Sequence, residues 1–217
     1  MQILTWNIQM AKGVDDLTSI ERIARVIEEM GGSDVICCQE VGQELDAQGR
    51  LLLDQSGELK RLFPGHEVFY GAAIDRFVDG KRLRFGNIVL SRLPVLSVAH
   101  HRLPQPADPD TANMSRQAIE LVVDWQGMPY RIMSTHLEYF SSVQRAAHVD
   151  YLCAVYREAC ARSESPSRDG GPGYYQGGPE TRSTILCGDL NLTPDTEHYQ
   201  KIVDRSQDTQ LLDAWLK

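Results

Sequence analysis

Residues 34–41 read DVICCQEV, and the organisation of the chain follows from how that run must fold. Residues 35–38 form an apolar stretch flanked by polar groups, the pattern of a short buried strand, here 34–39. Neighbouring strand side chains point to opposite faces, so Cys37 and Cys38 read as buried filler and not as a bridge. The strand runs out at a carboxylate, Glu40. The same grammar recurs three more times: ILTW ends at Asn7, RIMST at His136, and ILCG at Asp189 with Asn191 close behind. Strand ends on one edge of a sheet bring together side chains that are far apart in sequence, which is how sites are assembled on rigid scaffolds.

Working outward, the opening QILTWNI is a strand, and apolar residues at helical spacing predict a helix over 16–30, ended by Gly31 and Gly32. A weaker helix is expected over 43–63, closed by Phe63, Pro64 and Gly65. Further strands are HEVFYGAAI, FGNIVLS, PVLSVAHHRL, QAIELVVDW, YRIMSTH and STILCGDLN. Asp79-Gly80 and the segment 126–129 are hairpin signals. Residues 142–162 form an amphipathic helix. The stretch 163–182, dominated by Ser, Gly, Pro and charge, reads as a flexible loop insertion. Strands joined by both helices and hairpins imply mixed sheets with helices outside, an α/β or α+β fold. No segment looks like a linker, so one domain over 1–217 is expected.

Composition narrows the function. Hydrophobic residues make up 42% of the 217 and charged residues 24%, as in an ordinary globular domain. No run of about 18 apolar residues exists to span a membrane. The start MQILTWNIQMAKG reads as a core strand and not as a secretion signal. With five cysteines at no zinc-like spacing, reduced thiols and a cytoplasmic location are expected. A net charge of −8 argues against gripping long nucleic acid through its backbone. Against that background a basic stretch stands out: Arg76, Lys81, Arg82, Arg84 and Arg92, then His100, His101 and Arg102. It reads either as a solvated face or as an anion-attracting rim beside a phosphate site.

The four strand-end groups suit phosphate chemistry. Magnesium takes hard oxygen ligands and keeps several waters, so one or two carboxylates suffice to hold it; Glu40 is the best candidate. Asp189 could orient or deprotonate an attacking water. Asn7 and Asn191 could serve the metal's waters or the phosphoryl oxygens without adding negative charge, and His136 could donate to a developing oxyanion or leaving group. Singly, each has a plainer reading: Asp189 and Asn191 as turn formers before Pro194, His136 as a structural histidine.

The order TWNI, DVICCQEV, FGNIVLSR, STHLEYF and LCGDLNLTPD resembles the endonuclease/exonuclease/phosphatase superfamily, with blocks spanning residues 3–195. The resemblance implies a four-layer α/β sandwich in which two mixed β-sheets pack face to face with helices outside. It also implies Mg²⁺- or Mn²⁺-dependent hydrolysis of phosphate esters. Glu40 would be the direct metal ligand with Asn7 beside it, and His136 would contact the scissile phosphate. Asp189 and Asn191 would orient the nucleophilic water and steady phosphoryl oxygens. Arg116 sits where several members carry an arginine near the substrate; Arg145 matches the arginine opening the helix after the THL block, where a structural role is open. The expected substrate is a small phosphodiester or short nucleic acid, with no membrane and no obligate protein partner.

One departure stands beside this. Superfamily members normally end in a strand carrying an aspartate and then a Ser-Asp-His block, whereas this sequence stops at LLDAWLK. The reading expects a truncated chain, short by about 20–40 residues. The alternative is a non-catalytic binding module on the same fold, recognising a phosphorylated ligand or a protein. A zinc hydrolase using His136 and His148 is disfavoured, because no histidine pair falls at ligand spacing next to a glutamate.

Overall fold

Alternation along the opening run sets the layering. Val35 and Cys37 point to one side and pack with Val89, Ile119, Leu121, Val123 and Ile132. Ile36 and Cys38 point to the other and join Leu4, Ile23, Ile27, Ile88 and Leu90. The adjacent thiols therefore serve different layers, and all five cysteines are free. In the computed structural model, which describes residues 1–46, 48–49, 51–166, 172–175, 178–203 and 211–216, these layers hold two sheets and four helices.

The first sheet runs β1 (Ile3–Asn7), β2 (Val35–Leu45), β5 (Lys81–Ser91), β4 (Glu67–Val78), with β3 (Leu51–Asp54) paired to β2. The second runs β6 (Val95–Arg102), β7 (Gln117–Trp125), β8 (Met128–His136), β9 (Thr184–Asp189). Both are mixed: β1 with β2 and β8 with β9 are parallel, and the other pairings are antiparallel. Helices α1 (Ile20–Glu29) and α2 (Gln55–Leu62) cover the outer face of the first sheet through Ile23, Ile27 and Leu59. Helices α3 (Ser142–Glu164) and α4 (Glu197–Val203) cover the second through Val149, Leu152 and Ile202. The result is the four-layer α/β sandwich that the resemblance implied. Among the described residues no helix is long and apolar enough to cross a membrane.

Two expected elements are corrected. Helix α1 begins at Ile20, not 16, because Lys12 and Thr18 form a β-bridge and the Ser19 hydroxyl caps the helix by accepting from Arg22 N. The helix expected over 43–63 is instead the end of β2, then β3, then α2. Gln43 pairs with Asp54, whose carboxylate accepts from Gly57 N and starts the helix. Cross-strand pairing overrode the local pattern. The Asp79-Gly80 hairpin is as read, with φ of 49° and 75° at its two central residues. Within the expected 163–182 loop, α3 continues to Glu164, and residues 167–171 and 176–177 lie outside the described residues. Its far end is anchored: Arg131 Nη1 donates to Thr181 O at 2.6 Å, and Glu180 meets both Arg131 and Arg162.

Gly188 carries the tightest approach in β9. Its φ is +130°, and a Cβ there would lie 1.9 Å from the carbonyl oxygen of Thr135. Neither backbone can yield without breaking the β8–β9 ladder. Gly188→Ala is expected to destabilise the fold by about 3 kcal/mol, read as a shift in the urea midpoint; an unshifted midpoint would show that the strands separate freely there.

Candidate active site

Three strand ends converge on the amide of Asn7. Glu40 joins them not from the end of its strand, as expected, but from within β2, because the strand runs on through Leu45. Parallel pairing sets Asn7 level with Gln39 on β2 and His136 level with Asp189 on β9. The Asn7 Nδ2 group donates to Glu40 Oε1 and to Asp189 Oδ2, both at 2.9 Å, while its Oδ1 accepts from Gln9 N. His136 sits behind, with Nδ1 3.9 Å from Glu40 Oε1 and Nε2 3.6 Å from Asp189 Oδ2. A neutral amide thus lies between two carboxylates, and an imidazole spans the same pair.

Glu40 is aimed there by a bulge. Cys38 faces Ile88 and Val41 faces Gly86, so Gln39 and Glu40 together oppose the single residue Asn87. Glu40 itself has φ +60°, a conformation costing a non-glycine residue about 1–3 kcal/mol. Its carboxylate is 27% exposed and that of Asp189 32%, so both keep access to solvent, whereas His136 is 7% exposed. Asn191, also left-handed at φ 48°, donates its backbone N–H to Asp189 Oδ1 and its side-chain amide to Leu137 O. It holds the Asp189 carboxylate and ties the β8 and β9 ends together.

Electrostatics favour a neutral imidazole. Burial pushes the His136 pKa below its ordinary value, the Arg116 cation adds to that, and the carboxylates of Asp189, Glu40 and Glu138 oppose it. A neutral ring offers one donor and one acceptor nitrogen.

Asn7, Glu40, His136 and Asp189 are thus brought together, with Asn191 as their support. The two arginines are used otherwise. Arg116 is 5% exposed and its Nε reaches Glu138 Oε2 at 3.2 Å. Arg145 Nη1 donates to the carbonyls of Glu138 and Tyr139, both at 2.8 Å. Both clamp the turn after His136. Glu138 was not singled out by sequence, although it stands inside STHLEYF. Burial pushes its carboxyl up, but the Phe140 and Met114 N–H groups and Arg116 outweigh this and hold it below the usual range. The basic stretch also divides. Arg92 binds Asp34 at 2.8 Å, Arg82 grips Asp75 with two 2.7 Å bonds, and His101 pairs with Glu120.

Comparisons with known proteins bear on the fold. A model of the Endonuclease/Exonuclease/phosphatase family matches residues 4–215. The chain belongs to that family. Similar solved structures include an endonuclease/exonuclease/phosphatase from Beutenbergia cavernae, 23% identical with a TM-score of 0.59, covering 94% of this chain and 51% of that one. The mannosyl-6-phosphatase Bt3783 of Bacteroides thetaiotaomicron is 15% identical with a TM-score of 0.65, over 94% of this chain and 70% of that. A truncated Caenorhabditis elegans TDP2 is 19% identical with a TM-score of 0.57, over 89% and 63%. This chain therefore spans about half the length of the Beutenbergia protein. None of the curated proteins matches the sequence.

His148 belongs to the support and not to a zinc site. It is fully buried, Nδ1 accepts from Glu138 N and Nε2 contacts Pro104 O at 2.9 Å. Burial pushes its pKa down to about 4, against the Pro104 carbonyl and the Glu138 charge. The unfolded chain binds this proton near pH 6.5, so the contribution is intact above that pH and lost as pH falls toward 4. The loss amounts to about 3 kcal/mol. Urea unfolding at pH 7 and pH 4.5 should show wild type losing most of that difference relative to His148→Gln. Parallel losses in the two proteins would mean that His148 is solvated.

Proposed function

We propose that the chain forms the centre of a divalent-metal-dependent phosphoester hydrolase, in which water attacks a small phosphodiester or the ester of a short nucleic acid. The observation that carries the reading is the convergence of Asn7, His136 and Asp189 from three strand ends, and of Glu40 from a bulge within β2, around one shared amide. Family membership and the likeness to a mannosyl-6-phosphatase and to TDP2 support phosphoester chemistry over other uses of the fold.

The donor set fits Mg²⁺ or Mn²⁺. Glu40 offers a hard, partly exposed carboxylate with room for retained waters, and the described residues contain no cluster of three or more His, Cys, Asp or Glu side chains able to hold a metal. Magnesium needs no such cage, while zinc does. Glu40 would hold the ion with Asn7 next to it, although in this structure the Asn7 carbonyl is taken by Gln9 N. When bound, the ion supplies positive charge against the phosphoryl oxygens.

The remaining work falls to the chain's own groups. Asp189, fixed by Asn191 N–H, accepts a proton or hydrogen bond from the attacking water. His136, kept neutral by burial and Arg116, donates a hydrogen bond to a phosphoryl oxygen without competing for the metal as a cation would. Asn191 orients Asp189 through its backbone N–H, its side-chain amide being engaged by Leu137 O. Arg116, which the resemblance set near the substrate, acts here through charge and through Glu138.

Two variants test this. Glu40→Gln should weaken Mg²⁺ binding at least about tenfold by titration calorimetry, since it removes the anionic ligand and keeps the shape. Asp189→Asn should lower kcat on bis-p-nitrophenyl phosphate by about 10²–10⁴ while KM changes little. A rise in KM with kcat untouched would remove Asp189 from the proposed role.

A further inference from the structure

The cleft between the sheets continues past Glu40 and His136. The sheets stack strand on strand, with β1 against β9, β2 against β8 and β9, β5 against β7 and β8, and β4 against β7. The rim carrying the strand ends therefore runs on to Gly71 on β4, Gln117 at the start of β7 and Arg102 at the end of β6. A second cavity of about 350 Å³ opens there, lined by Tyr70, Gly71, Arg84, His100, Arg102 and Gln117 among others. It lies close to the first centre: Thr135, the neighbour of His136, donates its hydroxyl to Gln117 O at 3.2 Å. With strands about 4.8 Å apart, the two are separated by one to two strand spacings, ~5–10 Å.

The charge in this cavity is opposite to that of the chain. The protein carries −8 overall, yet two guanidinium groups, Arg84 and Arg102, line this cavity and, among the described residues, no carboxylate does. Arg82 occupies both Asp75 oxygens, leaving Arg84 Nε 3.6 Å from the nearer one. Arg84 is held in place by Gln43 Oε1 at 2.9 Å and by lying 5.3 Å over the Tyr70 ring. Its Nε is buried with no hydrogen-bond partner among the described residues. Arg102 is exposed and touches only the hydroxyl of Ser115, at 3.2 Å, among the described residues. The other carboxylate nearby, Glu120, is already engaged by Arg131 and His101.

A neutral acceptor completes the set. Gln117 is 5% exposed, and its Oε1 is buried without a donor among the described residues. The amide cannot simply turn over, because Nε2 donates to Gly71 O at 3.0 Å and a flip would oppose two oxygens. Residue 71 must lack a side chain for this, since a Cβ would lie 2.6 Å from Gln117 Nε2. Leaving a buried polar atom unpaired is costly, and here Gln117 Oε1 is an acceptor without a donor, among the described residues, in a cavity lined by two arginines.

We propose that this cavity is a second anion subsite of the same centre, which makes the preferred substrate a phosphoester carrying a second phosphate next to a hydroxyl. The second phosphate would sit between the Arg84 and Arg102 side chains that line the cavity, and the hydroxyl would donate to Gln117 Oε1. This rests on the hydrolase reading for the first site, but the cavity can be probed without turnover. The probes are uridine 3′,5′-bisphosphate, whose 2′-hydroxyl lies beside the 3′-phosphate, and uridine 5′-phosphate, titrated calorimetrically into the metal-free chain. The bisphosphate should bind about tenfold more tightly. That ratio should fall to within about twofold of one in Arg84→Met and in Arg102→Met, the latter a surface change with little bearing on folding. Gln117→Met should lower the ratio by a smaller factor. Equal affinity of wild type for the two ligands, or a ratio unchanged in Arg102→Met, would overturn the subsite. Asp189→Asn separates the two readings. It should abolish turnover of thymidine 5′-p-nitrophenyl phosphate and leave the binding ratio intact. Turnover that survives Asp189→Asn would sink the first reading while leaving the ratio to decide the second.

Discussion

Val35, Cys37 and Val89 on one sheet meet Ile119, Leu121, Val123 and Ile132 on the other, and all seven are fully buried. Each such side chain contributes roughly 1.5–3 kcal/mol by leaving water. The layer therefore does more than stabilise. Strand side chains alternate with period two, so a one-residue slip of either sheet would turn its apolar set outward and its polar set inward. Register and stacking are locked together, and the ends of β1, β8 and β9 and the bulge in β2 are locked with them. Asn7 can donate to Glu40 and Asp189 at once only because that layer fixes the spacing of two sheets whose backbones never pair at the site.

The electrostatic problem created by this convergence is solved locally. Two carboxylates pointing at one spot repel, and an amide between them gives each a hydrogen bond without adding charge. His136 adds to this, but burial and Arg116 keep it from becoming a second cation. The arrangement is held short of neutrality, which is the condition a hard cation needs to be attracted. The left-handed conformations at Glu40 and Asn191 belong to the same account: strain is stored where side chains must leave the sheet at unusual angles.

Much of this was legible in the sequence because it depends on periodicity. Apolar runs ending in Asn7, His136 and Asp189 gave strands and their shared edge, the run before Glu40 gave only the first half of β2, and Asp79-Gly80 gave a hairpin through its intrinsic preference for positive φ. What escaped had no local signature. Residues 43–45 and 51–54 fall inside the stretch read as a helix, yet the pairing of Gln43 with Asp54 and Glu44 with Leu53 makes them strands. The bulge at Glu40 follows from β5 lying opposite, and no pattern within residues 34–41 announces it. The resemblance set Arg116 near the substrate; only tertiary structure reveals Glu138 as its partner. The basic stretch likewise read as one feature, but β6, β7 and the far end of the sandwich send its members to different neighbours, leaving Arg84 and Arg102 at the rim.

The buried Arg116–Glu138 pair raises a last question of energy. Taking two charges out of water costs several kcal/mol per ion, and a well-packed apolar pair would often be as stable. Its retention makes sense through what Glu138 does next. The carboxylate accepts the N–H groups of Met114 and Phe140, Arg145 holds the carbonyls of Glu138 and Tyr139, and His148 receives the Glu138 N–H. Every contact immobilises the turn that begins at Leu137. Leu137 in turn gives its N–H to Asp189 O and receives the Asn191 amide on its carbonyl. An apolar pair could fill the space but could not orient a backbone. The ionic pair fixes the position of Asp189 from two residues away, and that is a service no periodic pattern in the sequence could disclose.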